Sequence, residues 1–314
     1  MSTEYGRSFK ALIYSSAAQS VVPMSIPSIE SSQSVVRFRS SIGPAVGLLG
    51  FVTAVAALSV VTHLGLLGPD PLTYPKHVSA LLSMPFFVAM LVGTVVALQY
   101  EGVTLGEIGL HRTTAVSGVV AFACFWLGIS VIGVVYLVAT GDGGAVGFDD
   151  ELPWYWILVW FLLTLTVSNG LTEELVFRGY FQNKLTALAA GRSRVPADVI
   201  GITAAALLFG VPHLPLGVIL FDAGPLDVPW IILQNFIPGV LYGVLYYLTR
   251  NLLFVGLLHG FGNAPVVPFT PAAVPSFTLV TIVVGVVVGL GYRYWGRDAE
   301  HVTVSANITT APGE

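Results

Sequence analysis

The sequence predicts an all-α fold: a polytopic membrane protein of about eight transmembrane helices around an intramembrane polar cavity. Three observations predict it. Of 314 residues, 55% are hydrophobic and 10% charged, against roughly 25% charged in soluble domains, and the mean hydropathy is +0.83. The charges cluster, leaving empty stretches long enough to cross about 30 Å of hydrocarbon. A few ionisable residues nevertheless fall inside those stretches. An ordinary soluble enzyme is excluded by the first observation, and a β-barrel by the second, because the runs are continuous rather than alternating.

Taken in order, the charge-free stretches are Ser40 to Pro69, His77 to Tyr100, Thr113 to Gly141, Leu152 to Thr172, Val199 to Phe221, Val228 to Thr249 and Asn251 to Tyr292. The last is 42 residues long, and Pro265, Pro268, Pro271 and Pro275 interrupt it, so it holds two spans. With about 20 apolar residues per crossing, the expected helices cover 43–67, 78–99, 115–139, 154–182, 198–216, 228–249, 252–268 and 275–295. Residues 1–40 read as a flexible cytoplasmic leader without a signal peptide, 41–297 as the membrane domain and 298–314 as a cytoplasmic tail.

In an alternating eight-span arrangement, 11 of the 13 basic residues fall on one side: Arg7, Lys10, Arg37, Arg39, Arg112, Lys184, Arg192, Arg194, Arg250, Arg293 and Arg297. The positive-inside rule then predicts a multi-pass cell-membrane protein with both termini cytoplasmic. Lys76 lies opposite, and Arg178 stays within or beside a span. Trp154, Tyr155 and Trp156, with Tyr292, Tyr294 and Trp295, read as interfacial belts. The stretch Glu101 to Arg112 reads equally as a short interfacial helix, with Leu105, Ile108 and Leu110 toward lipid, or as a plain loop. The pairs Gly239/Gly243, Gly256/Gly260 and Gly285/Gly289 form GxxxG patterns that allow close helix approach. Cys124 is the single cysteine, so no internal disulfide forms.

Packing does not account for the ionisable residues in the spans. Glu173 and Glu174 follow an uncharged apolar run without a turn signal. Glu174 and Arg178 are four apart and pair on one helix face, while Glu173 is turned about 100° away. The fifth expected helix carries Phe209 and His213, and the seventh carries His259 and Asn263, each pair again four apart. Buried ionisable groups in spans are rare and functional. Two carboxylates, an arginine, two imidazoles and an amide from three helices compose a polar reaction chamber.

These residues carry a resemblance. The segments Glu173-Glu174-Leu-Val-Phe-Arg178, Phe209-Gly-Val-Pro-His213 and His259-Gly-Phe-Gly-Asn263 resemble the EExxxR, FxxxH and HxxxN motifs of the CPBP or Abi family of intramembrane proteases, which includes the type II CAAX prenyl proteases. The three occur in the family's order, and the likeness covers about residues 150–268. The resemblance implies glutamate-dependent hydrolysis of a peptide bond, with no cofactor or metal. By it, Glu173 and His213 hold and deprotonate the attacking water, His259 and Asn263 stabilise the oxyanion, and Glu174 and Arg178 form the supporting pair. A membrane-tethered peptide or protein, prenylated or not, is the implied substrate in the lipid bilayer, reached through a cytoplasmic opening; nucleic acid is not a partner.

Other readings stand beside this one. Glu173, His213 and His259 are plausible zinc ligands, although no HExxH is present. A rhomboid-like serine site would need more than Gly128-Ile129-Ser130, and a transporter would be expected to show internal repeats. A non-catalytic scaffold or immunity protein of the same fold is the principal alternative. Depth along the helices poses one difficulty. His213 is about 22 Å beyond Asp198 at 1.5 Å per residue, further out than Glu173 and His259, unless the fifth helix starts in the cytosol or bends at Pro212 and Pro215.

Overall fold

The computed structural model describes residues 35–65, 74, 76–148, 170–220, 222–295 and 303–307. Its helices are α1 (Gly43–His63), α2 (Lys76–Glu101), α3 (Arg112–Thr140), α4 (170–189), α5 (Ala197–Phe209), α6 (Val228–Thr249), α7 (Leu252–Asn263) and α8 (Phe277–Trp295). Among the described residues six helices are long and apolar enough to cross a membrane: Gly43–Thr62, Leu81–Glu101, Arg112–Thr140, Ala197–Ile219, Val228–Thr249 and Phe277–Tyr294. The protein is thus an all-α, multi-pass membrane protein. The first part of the expected 154–182 helix, with Trp154, Tyr155 and Trp156, lies outside the described residues.

Local chemistry sets the helix ends. The Asn251 side chain accepts a hydrogen bond from the Phe254 N–H at 2.9 Å and starts α7, satisfying one of the donors that a first turn leaves open. A capping box of His111 and Thr114 starts α3, which stops at Gly141 with φ 86°, a left-handed end that glycine adopts without strain. The α7 helix ends at Asn263 rather than at 268. Residues 264–276, rich in proline, turn back over the end of α3 instead. There the Trp126 indole N–H donates to the Val266 carbonyl at 2.7 Å and the Thr270 N–H to the Ala145 carbonyl at 2.9 Å.

Between α2 and α3 residues 102–111 form turns, so the loop reading of this stretch holds. Ile108 does not face lipid: it is fully buried, and its carbonyl accepts from the Tyr246 hydroxyl at 3.0 Å. Tyr292 is more than an interfacial anchor, since its hydroxyl bonds Ser117 at 2.7 Å and the Asn251 amide at 3.0 Å. It ties α8 to α3 and to the cap of α7.

The segments read as leader and tail need a second correction. Residues β1 (Val35–Arg39) and β2 (Thr303–Asn307) form a two-stranded parallel sheet, Val35 opposite Thr303 and Arg39 opposite Asn307. Val36 and Phe38 are buried while Arg37 and Arg39 point outward, the alternation of a strand with one face packed. The strand is held by charges that the sequence reading leaves in loops. Glu101 and Lys184 form a fully buried ion pair at 2.7 Å. Glu101 also accepts from the Arg39 N–H at 2.8 Å and the Tyr180 hydroxyl at 3.0 Å, and the Lys184 ammonium donates to the Arg39 carbonyl at 2.6 Å. Four hydrogen bonds, one of them between opposite charges, therefore join β1, α2 and α4.

Removing one partner of a buried pair leaves an uncompensated charge, which costs about 3–5 kcal/mol. Lys184→Met is expected to lower the stability of purified protein by that amount in thermal or denaturant unfolding. The double variant Glu101→Leu with Lys184→Met is expected to recover most of the loss.

Candidate active site

The site begins with an unusual stretch of helix. Gly170–Glu174 is α-helical, Leu175–Gln182 is a π-helix, and Asn183–Ala189 returns to α-helix, so α4 runs on past residue 182, where the apolar pattern ends. Every residue of the π segment is buried. Such wide turns are rare and concentrate at functional sites. Here the segment carries Arg178 immediately after the two glutamates.

Arg178 is 1% exposed and engages two helices in its fork. One terminal nitrogen lies 3.0 Å from Glu174 Oε1, and the other donates to the Gly239 carbonyl at 2.7 Å. Its guanidinium sits 5.1 Å from the Phe209 ring centroid and 5.7 Å from that of Tyr242, within cation–π range. One turn on, the Gln182 amide donates to the Gly243 carbonyl at 3.1 Å. Arg178 and Gln182 thus read out the carbonyls of the Gly239/Gly243 pair. A side chain at Gly243 would meet Gln182 Oε1 at 3.0 Å, and one at Gly239 would meet Ala206 of α5 at 3.0–3.1 Å, so the pair admits Gln182 and α5 alike. A polar pair four apart facing a GxxxG pattern is the signal for this contact; the sequence reading names Arg178 and the glycines separately and leaves out Gln182.

Glu174 is fully buried and accepts from His259 Nδ1–H at 2.7 Å on the same oxygen that faces Arg178. That hydrogen bond orients the imidazole, as a partner on one ring nitrogen does, and turns Nε2 toward Glu173, whose Oε2 is 3.7 Å away. The gap exceeds a direct hydrogen bond. Glu173, at 14% side-chain exposure, is the more open carboxylate of the two. The Tyr242 ring stacks on His259 at 4.7 Å with an interplanar angle of 21° and holds the imidazole plane. Phe209, which the sequence reading names as the start of the FxxxH segment, and Tyr242, which it does not name as a site residue, form the walls.

The structure brings Glu173, Glu174, Arg178 and His259 into one cluster. His213 stands at its edge: its ring packs on Phe209 at 4.9 Å, and the same Phe209 ring meets His259 at 5.7 Å. It can do so because α5 stops at Phe209 and the chain continues as a 3-10 turn, Val211–His213, with Pro212 in its first positions. The helical repeat thus changes at Pro212, one of the two prolines at which the sequence allows helix five to depart from regular geometry. His213 Nδ1 bonds the Phe209 carbonyl at 2.8 Å, which places the proton on Nδ1 and leaves Nε2 for an outside partner. Asn263, the last residue of α7, is exposed and makes no hydrogen bond among the described residues. Among the described residues no three His, Cys, Asp or Glu side chains gather as a metal-ligand set.

The approach of α7 to α4 depends on Gly256, where an added Cβ would stand 2.9 Å from the Leu171 Cα. Gly256→Ala is expected to destabilise by about 1–3 kcal/mol, the usual cost of overpacking. Gly285→Ala, whose Cβ meets nothing nearer than 3.8 Å, is expected to be neutral or to stabilise by about 0.5–1 kcal/mol through helix propensity. Thermal unfolding of the two variants checks the contrast.

No curated protein and no solved structure matches the chain. A family model does, over residues 154–265: that of the Rce1-like type II CAAX prenyl endopeptidases. The matched stretch holds Glu173, Glu174, Arg178, His213, His259 and Asn263 together. Over residues 154–265, about a third of its length, the chain is thus similar to the Rce1-like type II CAAX prenyl endopeptidases.

Proposed function

We propose that this protein is an intramembrane endopeptidase of the glutamic type, hydrolysing a peptide bond of a membrane-associated protein within a cavity open to the cytoplasm. One observation carries the reading. Of two adjacent carboxylates, Glu174 is consumed by Arg178 and His259, while Glu173 stays accessible beside His259 Nε2. A carboxylate that no short hydrogen bond holds, in a poorly hydrated site, is suited to take a proton from water.

In the proposed reaction Glu173 receives a proton from the attacking water, and His213, through its free Nε2, holds that water from the opposite side. The water oxygen adds to the scissile carbonyl. His259, donating through Nε2 when both of its ring nitrogens carry hydrogen, and the unengaged Asn263 amide face the developing oxyanion, where donors contribute the most. The proton on Glu173 then passes to the leaving amine, the tetrahedral intermediate collapses to carboxylic acid and amine, and Glu173 is regenerated. Glu174 and Arg178 touch no reacting atom; they are positioning residues that fix the His259 ring and the register of α4 against α6. The bilayer is the medium from which a tethered substrate, prenylated or not, reaches the cavity.

Purified protein should cleave C-terminal peptides bearing, or lacking, a prenyl group. Glu173→Gln is expected to lower kcat by about 10²–10⁴-fold, the range for a lost general base, with thermal unfolding unchanged. No cleavage of either peptide by the unsubstituted protein would overturn the reading in favour of a non-catalytic scaffold or immunity protein of the same fold.

Asn263→Ala separates the oxyanion role from a structural one. Because Asn263 is exposed and unbonded, the substitution is expected to leave the unfolding temperature in place and to reduce kcat about 10²-fold, the cost of one oxyanion donor. An unchanged kcat would remove Asn263 from the mechanism.

A further inference from the structure

Away from the glutamate cluster, α1 and α2 leave a groove of about 650 Å³ between them, lined by Ser41, Gly47 and Phe51 on one side and Gly93, Val96 and Tyr100 on the other. Glycine makes it. The Phe51 ring lies directly against Gly93, so that a side chain there would collide with it, whereas a Cβ added at Gly47 would meet nothing within 4 Å. From Gly43 to Phe51 the groove runs about 12 Å along α1 at 1.5 Å per residue, with Ser41 lining it ahead of the helix, close to half of the roughly 30 Å hydrocarbon thickness. Its length is that of one leaflet, and it opens on the outer face of the bundle, where Phe51, Val96 and Tyr100 are exposed.

The mouth of this groove is positively charged. Arg39 is exposed, its guanidinium lies 4.4 Å over the Tyr100 ring centroid, and it has no ion-pair partner among the described residues. Arg37 points from the same outward face of β1, two residues away and so on the same side of the strand. The position of Arg39 is also fixed: its backbone N–H and carbonyl are both held by the buried Glu101–Lys184 pair. An apolar slot one leaflet deep with a preset guanidinium at its open end has the chemistry of one lipid class.

We propose that the groove between α1 and α2 binds an anionic phospholipid, one acyl chain lying along Gly47 and Gly93 and the phosphate meeting Arg39, with Arg37 adding to the field. Arginine suits this because its fork matches phosphate oxygens, and a basic residue near the membrane surface gains about 1 kcal/mol from anionic lipid. The site rests on α1, α2 and β1 and does not depend on the peptidase reading.

The test is retention of added lipid by purified full-length protein in detergent, read by native mass spectrometry with phosphatidylglycerol and phosphatidylcholine as probes. Phosphatidylglycerol is expected to be retained preferentially. Arg39→Gln should weaken that retention about fivefold, the factor matching one surface arginine, and should abolish the preference. Gly47→Leu, which fills the slot while improving helix propensity, should reduce retention of both lipids with no loss of thermal stability. Glu173→Gln should change neither. Equal retention of the two lipids by the unsubstituted protein, or a Gly47→Leu variant that binds as before, would overturn the proposal. So would displacement of the bound lipid by a prenylated peptide at stoichiometric concentration, which would assign the groove to substrate.

Discussion

The architecture depends on a guanidinium that cannot reach water. Moving a charge into a low-dielectric interior costs several kcal/mol unless partners surround it, and Arg178 recruits a partner from each neighbouring element. Glu174 comes from its own helix, the Gly239 carbonyl from α6 and the Phe209 face from α5, and Glu174 in turn reaches α7 through His259. Four helices are thereby held in one relative arrangement by the need to neutralise one side chain. The π-helical turns of α4 belong to the same constraint, because they place Arg178 and Gln182 opposite successive carbonyls of the glycine pair on α6.

A second buried pair organises the end of α4 beyond the site. Glu101 and Lys184 have no access to water, and each also bonds the backbone of Arg39. This links the chain ahead of α1 to the helix that carries the glutamates, through Tyr180, which bonds Glu101 from within the π segment. Asn183 continues the series, donating to the Tyr246 hydroxyl at 2.9 Å and accepting from Arg250 at 3.0 Å. Polar contacts of this kind are directional, so they specify how helices dock where apolar surface alone would allow sliding.

Much of this was legible in the residues. Long charge-free runs require helices because a backbone in hydrocarbon must satisfy its own hydrogen bonds, and the described helix starts outside α4 follow within about three residues, whereas α4 runs on to Ala189 and α5 and α7 stop early, at Phe209 and Asn263. The pairing of Glu174 with Arg178 follows from a spacing of four. Other features were not legible because they depend on distant partners. Lys184 and Glu101 read as loop charges since each stands beside a polar stretch, and only their meeting explains why both can be buried. Ile108 reads as lipid-facing or unstructured, yet its side chain packs at Gly179 and Tyr246 bonds its carbonyl. A five-residue strand next to a helix start leaves too short a pattern to distinguish from leader.

The sequence by itself determined that the chain spans a membrane, which side chains cannot be explained by packing, and which of them pair within a single helix, because hydrophobic run length and a 3.6-residue period are local properties. The spacing of four already pairs Glu174 with Arg178 and leaves Glu173 apart; tertiary structure alone decided what each carboxylate meets beyond its own helix. That is settled where α7 packs against α4 at Gly256 and brings His259 Nδ1 to Glu174 and Nε2 to the side of Glu173. A hydrogen bond between residues 85 apart in the chain has no local signature, since it exists only once both helices are fixed in space.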